Sequence, residues 1–549
     1  MSDIVYVADF ETTTDPEDCR VWAFGICNID NIESVYIDQT ITDFVTYISD
    51  VDSLCYFHNL RFDGSFIIDH LFRNGFKHVD RNPRSGEFTT LISRMGQFYS
   101  ITVKWWNGYR TEFRDSAKKL PMTVAEIAGA FKLDMSKGEI DYHAPRPIGH
   151  VITVEERDYL ERDVRIVAEA IRIQRTAGMT RLTVGSDSLK DYQSIITNKS
   201  FRNLFPVLPT HIDAELRSAY RGGWTYADVR RQGKIQGAGF VYDVNSLYPS
   251  VMSQDVLPYG DPTFVEGVPK VSKQFPIFIT SVTLTAKLKP GHLPCIQIKN
   301  NVHFMATEYL QNISDPVTIS CTNVDLELWS RHYDLNILSY NGSWLFKAGH
   351  GMFEDYITKW NTVKVNATGG MRTIAKLHLN SLYGKFATNP DVTGKIPVFE
   401  DNRVKLRLGE PDEREPVYTA MGVFITAYAR RKTINAAQDH YDSFAYADTD
   451  SLHLICDDEP TDLDIDPARM GAWKREYRFT RALYIRAKAY SEQLEDGAYE
   501  TRVAGMPRGI AEQVGIDDMR DGATFRGKLI PRHVPGGVVL QDVDFTLNL

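Results

Sequence analysis

Apolar runs that end in carboxylates are the feature of this sequence that most limits its fold. Ile4–Ala8 precedes Asp9, and Phe240–Tyr242 precedes Asp243. Short runs rich in β-branched and aromatic residues predict buried strands. Between such runs lie helical patterns, the strongest over residues 156–174. The chain is therefore predicted to have an α/β (mixed α+β) fold with acidic side chains at the ends of strands.

Composition narrows the class of protein. The 549 residues are 43% hydrophobic, which is enough to bury large cores and excludes disordered and fibrous classes. At about 150 residues per domain, the length predicts three or four structural units. A net charge of −10 excludes a simple polybasic nucleic-acid coat protein but not a local basic groove.

Targeting and redox signals are weak. The six cysteines include no Cys-x-x-Cys pair, so neither a disulfide framework nor a zinc finger is predicted. The first residues lack a signal peptide, and the charge-free run Pro416–Ala429 is shorter than a membrane helix. We therefore expect a soluble protein that stays in the reducing compartment where it is made.

One group of acids has the spacing of a nuclease. Asp9 and Glu11 are two residues apart on a strand and share a face, although a surface strand with alternating acids would look the same. Asp63 follows an aromatic segment, and Tyr159 and Asp163 lie at i and i+4 of a helix. Four acids from separate elements suit a two-metal phosphodiesterase, in which Tyr159 would orient the attacking water.

A second group of acids predicts a nucleotidyltransferase site. Asp448 and Asp450 lie between apolar runs, as in a hairpin turn. Such a pair can merely bond the local backbone of a turn. With Asp243 as a distant third acid at a strand end, the group could instead hold two Mg²⁺ ions that bind a nucleoside triphosphate and activate a 3′-hydroxyl.

The helix predicted over Met371–Phe386 has two stripes. One stripe is apolar and would face the core, and the other is polar and basic. An ordinary amphipathic helix whose basic edge is solvated would show the same two stripes. The polar stripe also contains an aromatic residue and an amide, and Gly384 follows it, so a nucleotide site is favoured. The polar stripe is Arg372, Lys376, Asn380 and Tyr383, and the apolar stripe is Ala375, Leu379, Leu382 and Phe386.

A basic run precedes the segment Lys488–Tyr490. Between Arg469 and Tyr490 seven cations accompany one acid, Glu476. A solvated helix face would account for this run, and a wall that contacts duplex DNA is the alternative. Phosphate contacts of the second kind predict DNA affinity that falls steeply with salt.

Several of these motifs resemble those of DNA polymerases. In order, DFET, NLRFD and YLERD resemble the 3′–5′ proofreading exonuclease domain. DVNSLYP, KLHLNSLYG, YADTDS and KAY follow the order of the family B polymerase motifs, and YRGG matches the motif between the two domains. Longer segments, such as ATNPDVTGK and VPGGVVL, resemble the protein-primed polymerases of small tailed Bacillus phages. The resemblance covers nearly the whole chain.

The resemblance implies roles for the first group. The implied metal ligands are Asp9, Glu11, Asp63 and Asp163, with Tyr159 also catalytic. The implied ligands of a single-stranded primer end are Thr12, Asn59, Phe62 and Phe66, with Lys137 as an auxiliary lysine.

It also implies roles around the second group. Asp243, Val244 and Asp450 would bind metal, and Asp448 would be a supporting catalytic acid. The implied nucleotide ligands are Val244, Tyr248, Arg372, Lys376, Asn380 and Tyr383, with Arg372 standing where the family commonly has lysine. The implied DNA ligands are Tyr220, Arg221, Gly222, Gly223, Gly384, Lys488 and Tyr490.

Domain limits follow from the same resemblance. An RNase H-like exonuclease domain would span 1–183, and a right-hand polymerase domain 184–549. Within the latter we expect a palm (184–255 and 417–490), a first insertion (299–352), fingers (353–387), a second insertion (388–416) and a thumb (500–549). The first insertion would lie next to the priming protein, and the second would clamp the template. The thumb region is short, and GSDSLKDYQ (185–193) is predicted to be a connector.

The implied function is replication of a linear phage genome in the cytoplasm of an infected bacterium. Synthesis would be protein-primed, strand-displacing and processive, with proofreading and two Mg²⁺ per active site, for which Mn²⁺ could substitute. The partners would be DNA, dNTPs and a terminal protein, with the chain a monomer or a heterodimer with that protein and not bound to membrane. A conventionally DNA-primed enzyme and a catalytically dead DNA-binding protein are the alternatives.

Overall fold

The computed structural model describes residues 4–298 and 308–548. Residues 299–307, where the predicted first insertion begins, lie outside the described residues. The described chain combines helices with three larger β-sheets and two separate hairpins, which confirms the predicted mixed α/β class.

The N-terminal sheet has eight strands in the order β3-β2-β1-β4-β8-β7-β6-β5. Strand β1 pairs antiparallel with β2 and parallel with β4. The elements of this region are β1 Ile4–Thr12, β2 Val21–Asn28, β3 Val35–Asp38, α1 Ile41–Ile48, β4 Ser53–Phe57, α2 Leu60–Arg73, β5 Lys77–His78, β6 Glu87–Ile92, β7 Phe98–Lys104, β8 Arg110–Asp115, α3 Val124–Phe131 and α4 Val154–Thr176.

Both faces of β1 are buried. Val5 and Val7 belong to the apolar cluster that contains α4, whereas Tyr6 and Ala8 belong to the cluster that contains α2. Successive side chains of a strand point to opposite faces, so this alternation continues through the acids. Asp9 therefore lies on the α4 side of the sheet.

The connector predicted over 185–193 is wrong. The segment forms helix α5, Val184–Ile196. Thr183 caps its N-terminus, because the Thr183 side chain accepts a hydrogen bond from Ser186 N. Gly and Ser residues have low helix propensity, but tertiary packing overrides it here. Val184 and Tyr192 are buried, and Gly185 lies against Lys385 of the helix described below as α11.

The central sheet is built around β11 (Gly239–Val244). Its strands lie in the order β22 (Tyr499–Val503), β21 (Ala489–Leu494), β20 (Trp473–Arg486), β11, β19 (Ser451–Ile455), β18 (Phe444–Asp448) and β9 (Thr225–Ala227), with β10 (Ile235–Gln236) beside β20. A four-stranded sheet, β12-β15-β13-β14, adjoins it. The elements up to the end of that sheet are α6 Asn198–Leu204, α7 Thr210–Arg217, β9 Thr225–Ala227, β10 Ile235–Gln236, β11 Gly239–Val244, α8 Leu247–Gln254, β12 Leu257–Val265, β13 Ile277–Leu288, β14 Asn312–Thr322, α9 Asn323–His332 and β15 Tyr333–Gly349.

The remaining elements complete the central sheet and add two hairpins, β16–β17 and β23–β24. They are α10 Glu354–Asn366, α11 Gly369–Phe386, β16 Lys395–Glu400, β17 Arg403–Leu408, α12 Thr419–Asp439, β18 Phe444–Asp448, β19 Ser451–Ile455, β20 Trp473–Arg486, β21 Ala489–Leu494, β22 Tyr499–Val503, α13 Arg508–Ala511, β23 Thr524–Val534 and β24 Gly537–Thr546.

Both hairpins reach helix α2 of the N-terminal sheet. Phe399 of β16 packs on Phe72 with ring centres 5.7 Å apart, and Arg73 donates to the Asn402 side chain at 2.8 Å. Gly537, at the start of β24, lies directly on the ring of Phe66. The two hairpins near the C-terminal end of the chain are thus packed against the N-terminal sheet through α2.

The charge-free run that ends at Ala429 lies mostly in α12. This helix is buried over most of its length, and it packs against α11, α7 and α8. Among the described residues, no helix has the length and apolar content needed to cross a membrane.

Candidate active sites

The first group of acids lies where β1, α2 and α4 meet. Asp63, in the first turn of α2, accepts a hydrogen bond from Phe10 N at 3.3 Å, which brings it beside β1. Asp163 projects from α4, and its Oδ1 is buried without a hydrogen-bond partner. A buried carboxylate oxygen without a donor is unfavourable unless a cation approaches it.

Burial raises the pKa of each carboxyl in this group, and repulsion between carboxylates adds to this for Asp9, Glu11 and Asp63. They raise the pKa of Asp9 to about 7, with Asp163 as the main charged neighbour. Burial and Asp9 raise the pKa values of Glu11 and Asp63 well above their usual range. Burial also raises the pKa of Asp163. Added positive charge would relieve this repulsion.

A lysine and two tyrosines border these acids. Lys137 Nζ lies 3.3 Å from Asp163 Oδ2 and 5.8 Å from the centre of the Tyr159 ring. The hydroxyls of Tyr159 and Tyr142 are 2.8 Å apart. Burial and Glu11 raise the pKa of Tyr159, so its hydroxyl stays protonated and can orient a ligand. Tyr142 was not predicted, although it follows Lys137 by five residues in the same segment.

A cavity of about 930 Å³ opens over these acids. Thr12, Asn59 and Phe62 line it, as do side chains of the C-terminal hairpin. Asn59 has φ 75°, a left-handed conformation that asparagine tolerates, and α2 begins immediately after it. Phe66, which is predicted to contact DNA, is only 1% exposed, and its ring lies beneath Gly537.

The second group of acids lies on the central sheet. Asp243 near the end of β11 pairs across the sheet with Ser451, which directly follows Asp450. Val244 N donates to Asp450 O at 2.9 Å. The DxD segment forms the predicted β18–β19 turn, with Thr449 at φ 64°. The three acids predicted from distant positions are therefore brought to one end of the sheet.

Charge also accumulates in this second group. Burial, then Asp450 and Glu476, raise the pKa of Asp243 to about 7. Burial and Asp448 raise the pKa of Asp450. Asp243 Oδ1 is buried without a hydrogen-bond partner, as Asp163 Oδ1 is in the first group. Sequence analysis identified Glu476 only as the single acid of a basic run, because its strand, β20, meets β11 through pairing between distant segments.

Partners on three sides hold the turn that contains Asp448. Thr225 Oγ1 donates to Asp448 Oδ1 at 3.0 Å, and Thr449 N donates to Trp224 O at 2.8 Å. Lys488 forms an ion pair with both carboxylate oxygens of Asp448. Lys488, the predicted primer ligand, therefore contacts one of the predicted catalytic acids directly.

Helix α11 presents the predicted polar stripe. Arg372, Lys376 and Asn380 are exposed, while the predicted apolar stripe is buried. The ring of Tyr383 stacks on that of Tyr248 with centres 3.9 Å apart and planes at 20°. No atom lies within 4 Å of where a Cβ would stand on Gly384, so the helix surface is open at that point.

A third cation, Lys364, joins the stripe from α10. Its Nζ donates to Ser246 Oγ at 3.0 Å, just before α8. Burial lowers its pKa, and so do the nearby charges of Lys376 and Arg372. Two cations of α11 and one of α10 therefore lie near one another, and Lys364 also reaches the segment that follows β11. Sequence reasoning missed Lys364, because no local pattern joins α10 to this site.

The YRGG segment contacts the β18–β19 turn. A Cβ on Gly223 would lie 2.5 Å from the Thr449 side chain, whereas one on Gly222 would meet no atom within 4 Å. Arg221, which is predicted to bind DNA, lies largely inside the protein. Its guanidinium is buried and donates to the carbonyls of Ala219 and Ser320, which fixes its position in this loop. Tyr220 is partly buried.

Tyr490 is largely enclosed. Its ring is 8% exposed and packs on Tyr446 and His453, with ring centres 4.8 Å and 5.3 Å away. A primer contact by Tyr490 is thus limited to the small exposed part of its ring.

The basic run before Tyr490 forms strand β20 rather than a helix. Most of its cations already pair with acids. Examples are Arg469 with Asp464, Arg475 with Glu459, and Arg478 with Glu495 at 3.0 Å. The excess positive charge counted along the sequence is therefore locally reduced on the surface.

Neither group of acids is a complete metal cage. Within residues 4–298 and 308–548, no three His, Cys, Asp or Glu side chains form a cluster able to hold a metal ion. The donors available are all hard carboxylate oxygens, two of them buried without hydrogen bonds. This donor set fits Mg²⁺, which commonly binds to one or two carboxylates and keeps water or substrate phosphate as its other ligands.

Comparisons with known proteins agree with this geometry. The DNA polymerase of Bacillus phage phi29 is 44% identical over 570 residues, covering 99% of each chain. That of Streptococcus phage Cp-1 is 33% identical and covers 99% of this chain and 98% of its own.

A solved structure of phi29 DNA polymerase with primer-template DNA and incoming nucleotide superposes with a TM-score of 0.95 at 43% identity. It covers 99% of this chain and 100% of the solved one. Another, with single-stranded DNA, has a TM-score of 0.94 at 42% identity and the same coverage. The family model of type B DNA polymerases, organellar and viral, matches residues 47–153 and 145–464. This chain is therefore a DNA polymerase, a DNA nucleotidyltransferase that belongs to the organellar and viral type B family and is homologous to the phi29 enzyme.

Proposed function

We propose that the chain replicates a linear phage genome by protein-primed, strand-displacing and processive DNA synthesis, and that it proofreads with a 3′–5′ exonuclease. The observation that supports the two activities is the presence of two separate groups of carboxylates. Each contains a buried oxygen without a hydrogen-bond partner and pKa values raised by mutual repulsion.

The proposed domains follow these two groups. Residues 1–183, with the N-terminal sheet, would be an RNase H-like exonuclease domain. Residues 184–549 would be the polymerase domain, in which the central sheet is the palm (184–255 and 417–490), α10 and α11 belong to the fingers (353–387), and 500–549 is the thumb. The insertions would span 299–352 and 388–416, and hairpin β16–β17 belongs to the second.

In the proposed polymerase site, the chain's own residues orient the nucleotide. Lys364, Arg372 and Lys376 would neutralise the triphosphate, and the stacked Tyr383 and Tyr248 would line the sugar and base. Two Mg²⁺ held by Asp243, Asp450 and the backbone of Val244 would stabilise the attacking and leaving oxygens, with Asp448 in support. A primer 3′-hydroxyl or a protein hydroxyl would attack the α-phosphorus, and pyrophosphate would leave.

In the proposed exonuclease site, the cavity over Asp9 and Glu11 would accept a single-stranded 3′ end. Thr12, Asn59 and Phe62 would hold the last nucleotides, with Phe62 available for base stacking. Tyr159, protonated and bonded to Tyr142, would orient the attacking water toward the phosphodiester. The divalent ions would bind to Asp9, Glu11, Asp63 and Asp163, with Mn²⁺ as an alternative to Mg²⁺.

The partners are proposed from the chemistry and from the relatives. The phi29 enzyme has been solved with primer-template DNA, with nucleotide and with single-stranded DNA, so we propose the same ligands for this chain. A terminal protein would supply the first hydroxyl, the chain would act as a monomer or as a heterodimer with that protein, and the cytoplasm of an infected bacterium would be its location.

Two variants test the assignment of the two sites. Asp243→Asn should reduce primer extension roughly a thousandfold, because losing one metal-binding carboxylate removes about 4 kcal/mol of transition-state stabilisation. Asp9→Ala with Glu11→Ala should instead abolish degradation of a single-stranded 3′ end and leave extension intact. Extension that survives in the Asp243 variant, or degradation that survives in the double variant, would contradict the respective assignment.

The manner of priming needs a separate experiment. Extension of a primed circle beyond one full turn would demonstrate strand displacement and processivity. Transfer of labelled nucleotide to purified terminal protein, dependent on origin DNA, would establish protein priming. Robust circle extension without any such transfer would favour a conventionally DNA-primed enzyme.

A further inference from the structure

A chain of buried polar groups lies behind the turn that contains Asp448. The Asp448 backbone N–H donates to Ser451 Oγ at 3.1 Å, and Ser451 Oγ lies 3.3 Å from His453 Nε2. His453 Nδ1 lies 2.7 Å from Glu492 Oε1. This series of hydrogen bonds thus joins the β18–β19 turn to strand β21.

The partners determine the direction of these hydrogen bonds. Glu492 also accepts from the hydroxyls of Tyr477 at 2.8 Å and Tyr484 at 2.5 Å, so it acts as an acceptor throughout. His453 therefore donates from Nδ1. The Ser451 hydroxyl has two acceptors within reach, Nε2 of His453 at 3.3 Å and the Asp448 carbonyl at 3.5 Å, and we assign its proton to the nearer one, Nε2. Ser451 Oγ remains free to accept the Asp448 amide.

The two ionisable residues of this hydrogen-bond series are more deeply buried than is usual for such groups. Glu492 is 0% exposed and His453 is 1% exposed. A buried carboxylate is costly even when paired, and apolar residues of similar volume often give equal or greater stability. Because the His453–Glu492 pair lies directly behind the turn that contains Asp448, we infer that it serves the chemistry rather than the stability of the sheet.

Strand β21 also reaches the turn from the solvent side. Lys488, just before the strand, forms an ion pair with Asp448. Its backbone N–H donates to the Tyr446 hydroxyl at 3.1 Å. Asp448 is therefore tied to the same segment twice, through its carboxylate at the front and through its backbone amide at the back.

We propose that Glu492 and His453 are positioning residues for nucleotidyl transfer. Glu492 fixes the orientation of the His453 ring, His453 fixes the Ser451 hydroxyl, and Ser451 holds the backbone of Asp448, so that Asp448 and Asp450 keep their orientation toward the nucleotide. Neither residue touches substrate. The role is analogous to that of the carboxylate that orients histidine in a catalytic triad.

Single-nucleotide incorporation, measured by rapid quench on primer-template DNA, tests this proposal. Glu492→Gln removes the charge at constant size, and His453→Asn keeps a donor to Glu492 but loses the link to Ser451. Each should lower the maximal incorporation rate roughly tenfold, the usual effect of removing an orienting partner, with the apparent nucleotide affinity changed less than about threefold. The double variant should be no slower than the slower single variant, because both substitutions interrupt the same series of hydrogen bonds.

Ser491→Ala is the matched control. Ser491 precedes Glu492 and is buried. Its hydroxyl is hydrogen-bonded to Thr501 Oγ1 at 2.8 Å and takes no part in the hydrogen-bond series. It should incorporate nucleotide at the wild-type rate even if its thermal unfolding midpoint falls. Should Glu492→Gln fail to fold, Tyr477→Phe removes one donor to Glu492 and should give a smaller fall in rate.

Three results would overturn the proposal. They are an unchanged incorporation rate in His453→Asn, multiplicative losses in the double variant, and an equal loss of rate in Ser491→Ala. The last would show that any buried polar loss in this strand slows the enzyme through general loosening of the sheet.

Discussion

Asp243 exchanges its proton near neutral pH, because burial and the charges of Asp450 and Glu476 raise its pKa to about 7. A carboxyl with a raised pKa is protonated below that value, and protons then compete with a metal ion. The Mg²⁺ concentration for half-maximal extension should therefore rise roughly tenfold per pH unit below about pH 7, and level off above it. Steady-state extension at a series of Mg²⁺ concentrations checks this, and a midpoint independent of pH would contradict it.

At the scale of elements, a buried ion pair joins the N-terminal unit to α5. Lys119 Nζ lies 2.5 Å from Asp187 Oδ2, and both side chains are fully buried. Lys119→Met leaves Asp187 buried without its partner and should lower the free energy of the first unfolding transition by about 3–5 kcal/mol in a denaturant titration. Lys118→Met removes a pair in which the lysine is one-fifth exposed, and Asp115 keeps its hydrogen bonds from the backbone of Asn59 and Ala117, so it should cost much less than Lys119→Met. Equal effects of the two variants would contradict this account.

Elements also show what the sequence could predict. The sequence predicts helix α11 over Met371–Phe386, and the helix begins at Gly369. The prediction is close because the two stripes of the helix depend only on local periodicity. Helix α5 was missed, since its stability comes from packing on α11 rather than from its own residues. The grouping of the predicted acids follows from motifs, whereas the position of Lys364 and the burial of Phe66 and Arg221 depend on contacts between distant segments. Local spacing contains no information about such contacts.

At the scale of the whole molecule, hairpin β16–β17 is held to α2 by Phe399 and Arg73. If this hairpin clamps the template as proposed, its attachment matters for long synthesis and not for one addition. Phe399→Ala with Arg73→Ala should shorten products of a primed circle severalfold and leave single-nucleotide incorporation unchanged. Leu408→Ala, an exposed residue of the same hairpin, is the control and should behave as wild type. Unshortened products in the double variant would contradict the clamp.

The contact between Gly223 and Thr449 has a consequence for how this gene can vary. A methyl group at 223 would stand 2.5 Å from the Thr449 side chain, whereas one at 222 would stand in open space. Under selection for phage growth, codon 223 should accept only synonymous changes, while codon 222 should yield viable alanine mutants. Sequencing a saturated codon library before and after one infection cycle would reveal this asymmetry between two adjacent and identical residues. Alanine enriched equally at both codons would show that the turn can move aside.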